Sequence, residues 1–143
     1  MSDHLVKPVS LEQTRALRQA VLRPHEPVER MASSETADTV ALGAFAGEQL
    51  VAVGMIAPDG QPGGGWRIRG MATAPAERGR GAGSAVLDAL IEHACSQGAL
   101  RIWCNARTPA RSLYERAGMQ VVSEEFELPE IGPHLVMELR SAS

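Results

Sequence analysis

Between Trp66 and Asn105 the chain reads as a strand, a glycine-studded turn, a helix and a second strand, and this order constrains the fold more than any other stretch. Trp66–Thr73 reads as a third hairpin-linked strand, and Pro75 ends it. Val86, Leu87, Leu90, Ile91 and Ala94 follow at helical spacing, and Gly98 is placed as a C-terminal cap. Leu100–Asn105 is then reached by a helical crossover, so it is expected to lie parallel to Trp66–Thr73. The junction is Arg78-Gly79-Arg80-Gly81-Ala82-Gly83-Ser84. Three glycines in five positions allow a tight turn and a close ligand approach. The turn would aim free amides outward at a helix start, where the macrodipole favours an anion. With two arginines in the loop, the stretch reads as a phosphate site.

The remainder of the chain is read as hairpins and helices around that unit. Leu5–Val9 is extended, and Ser10 with Gln13 forms a capping box for a helix that Pro24 stops. Ala16, Leu17, Ala20 and Val21 give that helix an apolar side. Pro24–Asp38 reads as a long loop containing at most one helical turn, a kind of segment that is often functional. Thr39–Ala46 and Gln49–Ala57 flank a Gly47-Glu48 turn as a hairpin, and Pro58–Gly65 is turn chemistry alone. Strand alternation in Trp66–Thr73 would put Arg67, Arg69, Met71 and Thr73 on one face. Thr108 as N-cap and Pro109 open a last helix with Ala110, Leu113, Tyr114 and Ala117 on one side, closed by Gly118. Met119–Phe126 and His134–Leu139 read as the final strands. The expected class is α+β: one domain over residues 1–143 with a mixed, mostly antiparallel sheet and helices on its faces.

Net charge is −3, so no global basic field points to nucleic acid. Cys95 and Cys104 lack metal or redox spacing, the histidines show no metal-ligand pattern, and no apolar run is long enough for a membrane span. Met1–His4 is polar, unlike a signal peptide, so a cytoplasmic protein without a metal is expected. A dinucleotide fingerprint starting at Gly79 would need its third glycine where Ser84 stands, and a Walker loop would need a lysine that is missing. A tight turn with merely solvated arginines is the alternative.

Arg78-Gly79-Arg80-Gly81-Ala82-Gly83, with Pro75 upstream, resembles the cofactor motif Arg/Gln-x-x-Gly-x-Gly/Ala of the GNAT superfamily of N-acetyltransferases. The helix carrying Leu113, Tyr114, Gly118 and Met119 resembles that family's second signature, with Met119 in place of phenylalanine. Arg107 stands where many members have asparagine, although Asn105 is near. The resemblance implies a V-shaped split between the two parallel strands that takes acetyl-CoA as cosubstrate. It implies that a bulge near Met71, Ala72 and Thr73 pairs with the pantetheine arm, together with Asn105. Amides from Arg78 to Ser84, including Ala82, would hold the pyrophosphate.

The implied reaction is direct acetyl transfer, in a ternary complex, to a small-molecule or peptide amine. It needs an acid, a base and oxyanion stabilisation. Tyr114 is implied as the acid for the CoA sulfur, a core tyrosine being the alternative, and the Met71 amide as the oxyanion donor. Glu125 and His134 are the candidate bases, the latter held by the Gly132-Pro133 turn; a water chain with no dedicated base is also open. Glu124, Glu125, Glu127 and Glu130 hint at a cationic acceptor. Arg67 and Arg69 project towards the acceptor pocket or line a sheet face. A non-catalytic acyl-CoA-binding module is the rival reading, and the resemblance admits a homodimer.

Overall fold

A computed structural model describes residues 4–140; the polar Met1–Asp3 segment lies outside them. The elements are β1 (Leu5–Pro8), α1 (Leu11–Leu22), a 3-10 helix (Val28–Ser34), β2 (Val40–Ala46), β3 (Gln49–Pro58), β4 (Gly65–Thr73), α2 (Ala82–Ser96), β5 (Arg101–Arg107), α3 (Arg111–Arg116), β6 (Gln120–Val121), β7 (Phe126–Leu128) and β8 (Gly132–Arg140). They form one sheet in the order β1-β2-β3-β4-β5-β8-β6, with β7 also on β8. Every pair is antiparallel except β4 with β5, which the crossover through α2 makes parallel.

The caps act as their residues require. Ser10 and Gln13 form a reciprocal capping box on α1. Gly98 (φ 84°) and Gly118 (φ 98°) end α2 and α3 in the left-handed conformation. In both, the residue after the glycine donates five positions back, Ala99 to Ala94 and Met119 to Tyr114, each at 3.0 Å. Thr108 is not the N-cap expected of it. Ala110 caps α3, and the Thr108 hydroxyl donates instead to Glu125 at 2.9 Å.

The main core lies between α2 and the sheet. Val86, Leu87, Leu90 and Ala94 meet Ala44, Val51, Ala52, Ile56, Ile68 and Ile102. Gly54 lets α2 approach, because a Cβ there would stand 2.8 Å from Leu90 and 3.1 Å from Val86. On α1 the apolar stripe is not the buried side: Ala16 and Ala20 are exposed, and Thr14 and Arg18 are buried. Burying a guanidinium requires partners. Arg18 has Thr14 Oγ1, Glu35, the Met31 carbonyl and Ser34 Oγ, which tie α1 to the 3-10 helix.

Met119–Phe126 is not one strand either. Four residues, 122–125, stand opposite two, 135 and 136, between the β6 and β7 pairings with β8. There Ser123 Oγ accepts the Val136 amide at 2.9 Å, replacing a backbone acceptor and breaking the strand in two.

Candidate active site

The parallel pair is short. β4 and β5 pair only at Gly65/Arg101, Trp66/Ile102 and Arg67/Trp103, and the rest of each strand diverges into a V-shaped split. A bulge in β4 accompanies the divergence. Val53 faces Ala72 and Met55 faces Arg69, so Gly54 stands opposite both Gly70 and Met71. Gly70 adopts φ 67°, which is available to glycine at little cost.

The extra residue also reverses the alternation, so Arg67, Arg69, Met71 and Thr73 do not share a face. Arg69 pairs with Met55, on the α1 side where Gly70 approaches Arg18. Met71 and Thr73 turn to the α2 side, where a Cβ on Gly54 would collide with the Met71 sulfur and one on Gly83 would stand 3.0 Å from Thr73 Oγ1.

At the far end of β4 the glycines have separate jobs. Gly79 (φ 78°) and Gly81 (φ 87°) supply left-handed turns, and Gly83 lets α2 start against Thr73. The first α2 amide with a backbone acceptor is that of Ala85, bonded to the Gly81 carbonyl at 3.0 Å; the amides of Gly79 to Ser84 have no acceptor among the described residues. Arg78, Gly79, Arg80 and Gly81 are exposed beside them, Arg78 without an ion pair among the described residues and Arg80 4.0 Å from Glu77. Such a concavity of amides, at a helix start, is an anion cradle.

At the mouth of the split lies a cleft of about 280 Å³, bounded by α1, the 3-10 helix, β4, β5, α3 and the β7–β8 hairpin. It brings together Met71, Asn105, Tyr114 and His134. Tyr114 is 6% exposed, and its hydroxyl has no hydrogen-bond partner among the described residues. Burial holds its phenol well above the ordinary range, the neighbouring Cys104 adds to this, and Arg107 opposes it. Tyr114 therefore stays protonated and able to donate. Burial pushes the Cys104 thiol up to about 12, so it is neutral and inert.

His134 is 4% exposed and lies in register with Arg107 of β5 and Phe126 of β7. Its Nδ1 is 2.8 Å from the Gly132 carbonyl. A carbonyl only accepts, so Nδ1 carries the hydrogen and the neutral ring keeps its lone pair on Nε2. The turn that the sequence marks thus fixes the tautomer. Glu125 is placed elsewhere: it is exposed, bonded to Thr108, and does not line the cleft.

The cleft is positive. Arg18, Arg23, Arg30, Arg67, Arg69 and Arg107 line it, against the single carboxylate of Glu26. Arg18 is paired with Glu35 and Arg23 with Glu26, while Arg30, Arg67, Arg69 and Arg107 have no carboxylate within 4.0 Å among the described residues. Arg107 instead reaches the Leu22 carbonyl at the end of α1. The acidic cluster that hinted at a cationic acceptor is exposed, and Glu130 pairs with His25 at 3.4 Å. Sequence reading overlooked Arg18 and Arg30; the available signal was Thr14 and Arg18, four apart on one helix side.

The chain matches the acetyltransferase (GNAT) family model over residues 9–119. It belongs to that family. It is 33% identical over 138 residues to an uncharacterized N-acetyltransferase, YitI, of Bacillus subtilis (strain 168), across 92% of this chain and 93% of that one. Among solved structures it resembles an IAA acetyltransferase from Bacillus cereus ATCC 14579, with a TM-score of 0.78 at 15% identity over 97% of this chain and 100% of that one. A Bacillus subtilis acetyltransferase in complex with CoA gives 0.74 at 15% identity over 97% and 99%. As a GNAT chain, the protein has the split, the cradle and Tyr114 inside the matched span, whereas His134 lies beyond it. No helix among the described residues is long and apolar enough to cross a membrane.

Proposed function

We propose that the protein transfers an acetyl group from acetyl-CoA to the amine of a small acceptor that also bears an anionic group. The observation that carries this is the cleft at the mouth of the split, where Tyr114 and His134 meet a surplus of arginines without a carboxylate partner among the described residues. Membership of the GNAT family and the likeness to a CoA complex support acetyl-CoA as the donor. The unbonded amides of Gly79 to Ser84, with Arg78 and Arg80, fit its pyrophosphate. Met71, Ala72 and Thr73, at and after the bulge, and Asn105 across the split would line its arm.

In this reading the acceptor nitrogen bonds to the acetyl carbon and gives up its proton to His134 Nε2. The carbon–sulfur bond breaks, and the departing thiolate takes a proton from Tyr114 Oη. The Met71 amide, in the bulge opposite Gly54, is assigned to the oxyanion. Glu125 has no part, given its exposed position outside the cleft. Free thiols at Cys95 and Cys104 suit a reducing cytoplasm.

Thiol release from acetyl-CoA is the test, across amino acids, aminophosphonates, polyamines and peptides. Turnover confined to amines with an acidic group is the expected outcome. Equal or better turnover of polyamines would overturn the acceptor class, and CoA binding without turnover of any amine would favour a binding module.

A further inference from the structure

A second cavity, of about 330 Å³, adjoins the cleft on the α1 side of the sheet. Ser34, Arg67 and Arg69 belong to both cavities, so these residues form the boundary between them. The far wall comes from the end of β3 and the turn after it, including Asp59 and Gln61, and from Thr36 and Thr39. Nothing in the proposed reaction uses this space.

Arg67 is held there by a chain of contacts. Asp59 Oδ1 accepts the Gln61 amide at 2.9 Å and the Asp59 amide donates to the Gly65 carbonyl at 3.0 Å, which fixes the carboxylate in its turn. Asp59 Oδ2 accepts Trp103 Nε1–H at 3.0 Å. The Arg67 guanidinium then lies 4.7 Å from the Trp103 ring centroid. Arg101 also reaches that ring, at 5.3 Å, but Glu138 takes its charge at 2.6 Å. Arg67 has no such partner. Among the described residues its Nε, shielded from solvent, has no hydrogen-bond partner, and no carboxylate lies within 4.0 Å. A buried donor left unpaired in an ordered site calls for a ligand that completes it. A guanidinium fixed in a plane matches the two oxygens of a carboxylate or phosphate.

We propose that Arg67, seated on Trp103 where the two cavities meet, is a specificity-determining anchor for a second anionic group of the acceptor, remote from the amine. The inference rests on the acetyl-transfer reading. Arg67 and Arg69 are two residues apart on one strand face, about 6.6 Å. That separation suits an α-amino acid with an acidic side chain, one acid held in the cleft by Arg69 and the other by Arg67.

The experiment compares kcat/KM within pairs that differ in the distal group: glutamate with glutamine, aspartate with asparagine, and phosphoserine with serine. The wild-type enzyme should favour the acidic member of at least one pair tenfold or more, and the pair that responds tells carboxylate from phosphate. Arg67→Gln should bring that ratio within twofold while the KM for acetyl-CoA holds, and Arg67→Lys should restore part of the preference. Ratios near one for all pairs in the wild type, or a full preference surviving in Arg67→Gln, would overturn the anchor and leave acetyl transfer standing. If no amine is acetylated, the underlying reading fails, and tryptophan emission titrated with glutarate and with inorganic phosphate tests the anchor directly. Saturable quenching by either probe, weakened tenfold or more in Arg67→Gln, supports it; no response to either sinks it.

Discussion

Tyr114 and His134 reach the cleft from different elements, α3 and β8, and their proposed roles would rest on a different local device in each. For Tyr114 the device is burial, which keeps the phenol protonated. Tyr114→Phe removes only an oxygen without a hydrogen-bond partner among the described residues, so the fold should be unaffected. In the acid role kcat should fall about 10²-fold while the KM for acetyl-CoA stays within twofold, as expected when an interaction made only in the transition state is lost. An unchanged kcat would reduce Tyr114 to packing. For His134 the device is the Gly132 carbonyl, which fixes the hydrogen on Nδ1. His134→Ala should lower kcat about 10²-fold or more, and added imidazole should recover part of it if a proton acceptor at that position is what was lost. Loss without recovery by imidazole at any concentration would point to packing against Phe126 instead.

Among the elements, the cradle is a matter of backbone conformation, and Gly79 isolates that property. Its φ is 78°, yet a Cβ there would meet nothing within 4 Å. Gly79→Ala therefore adds strain without a clash, about 1–2 kcal/mol for a left-handed alanine. Relaxation of the turn would misdirect the amides, so the KM for acetyl-CoA should rise about tenfold with kcat little changed. A variant with the wild-type KM would separate the donor site from this turn. The loop was legible in the sequence because its chemistry is local: glycine spacing, the strand before and the helix after all lie within one stretch. The capping box at Ser10 and the glycine stops at Gly98 and Gly118 were legible for the same reason. What misled was non-local. The bulge at Gly70–Met71 is defined against Gly54 of β3, and it turns Met71 and Thr73 away from the face of Arg67 and Arg69. The break between β6 and β7 is likewise defined against β8, through Ser123 and Val136. Tyr114 and His134 could be named as candidates, but their meeting in one cleft, and Glu125's absence from it, follow from packing that no local pattern records.

Over the whole molecule, an acidic chain concentrates arginines in one cleft, and the carboxylate that makes this tolerable is Glu35. It sits 20 residues from Arg15 and 17 from Arg18, and bonds both, at 2.8 Å and 2.7 Å. Its own side chain is 6% exposed and that of Arg18 is 3% exposed. The hydrogen bond from Arg15, then that from Arg18, holds the Glu35 carboxyl below its ordinary value near 4.5, against burial, which pushes it up. Unfolding releases the group to that ordinary value. Its contribution to stability is therefore complete above about pH 4.5 and is lost as pH falls through the lower folded value. Glu35→Gln removes the countercharge and leaves Arg18 buried with neutral partners only, a change that costs about 3 kcal/mol for a buried pair. Urea unfolding at pH 7 should show that loss as a lower midpoint with an unchanged slope. Between pH 5 and 3 the variant should lose less stability than the wild type, since the group that titrates is gone. Glu138, held low by Arg101 and Arg140, is present in both proteins and cancels in the comparison. Parallel declines of the two proteins over that range would mean that Glu35 does not carry the acid sensitivity. In that case the bond between α1 and the 3-10 helix, both of which bound the cleft, would have to rest on Arg18's neutral contacts to Thr14, Met31 and Ser34.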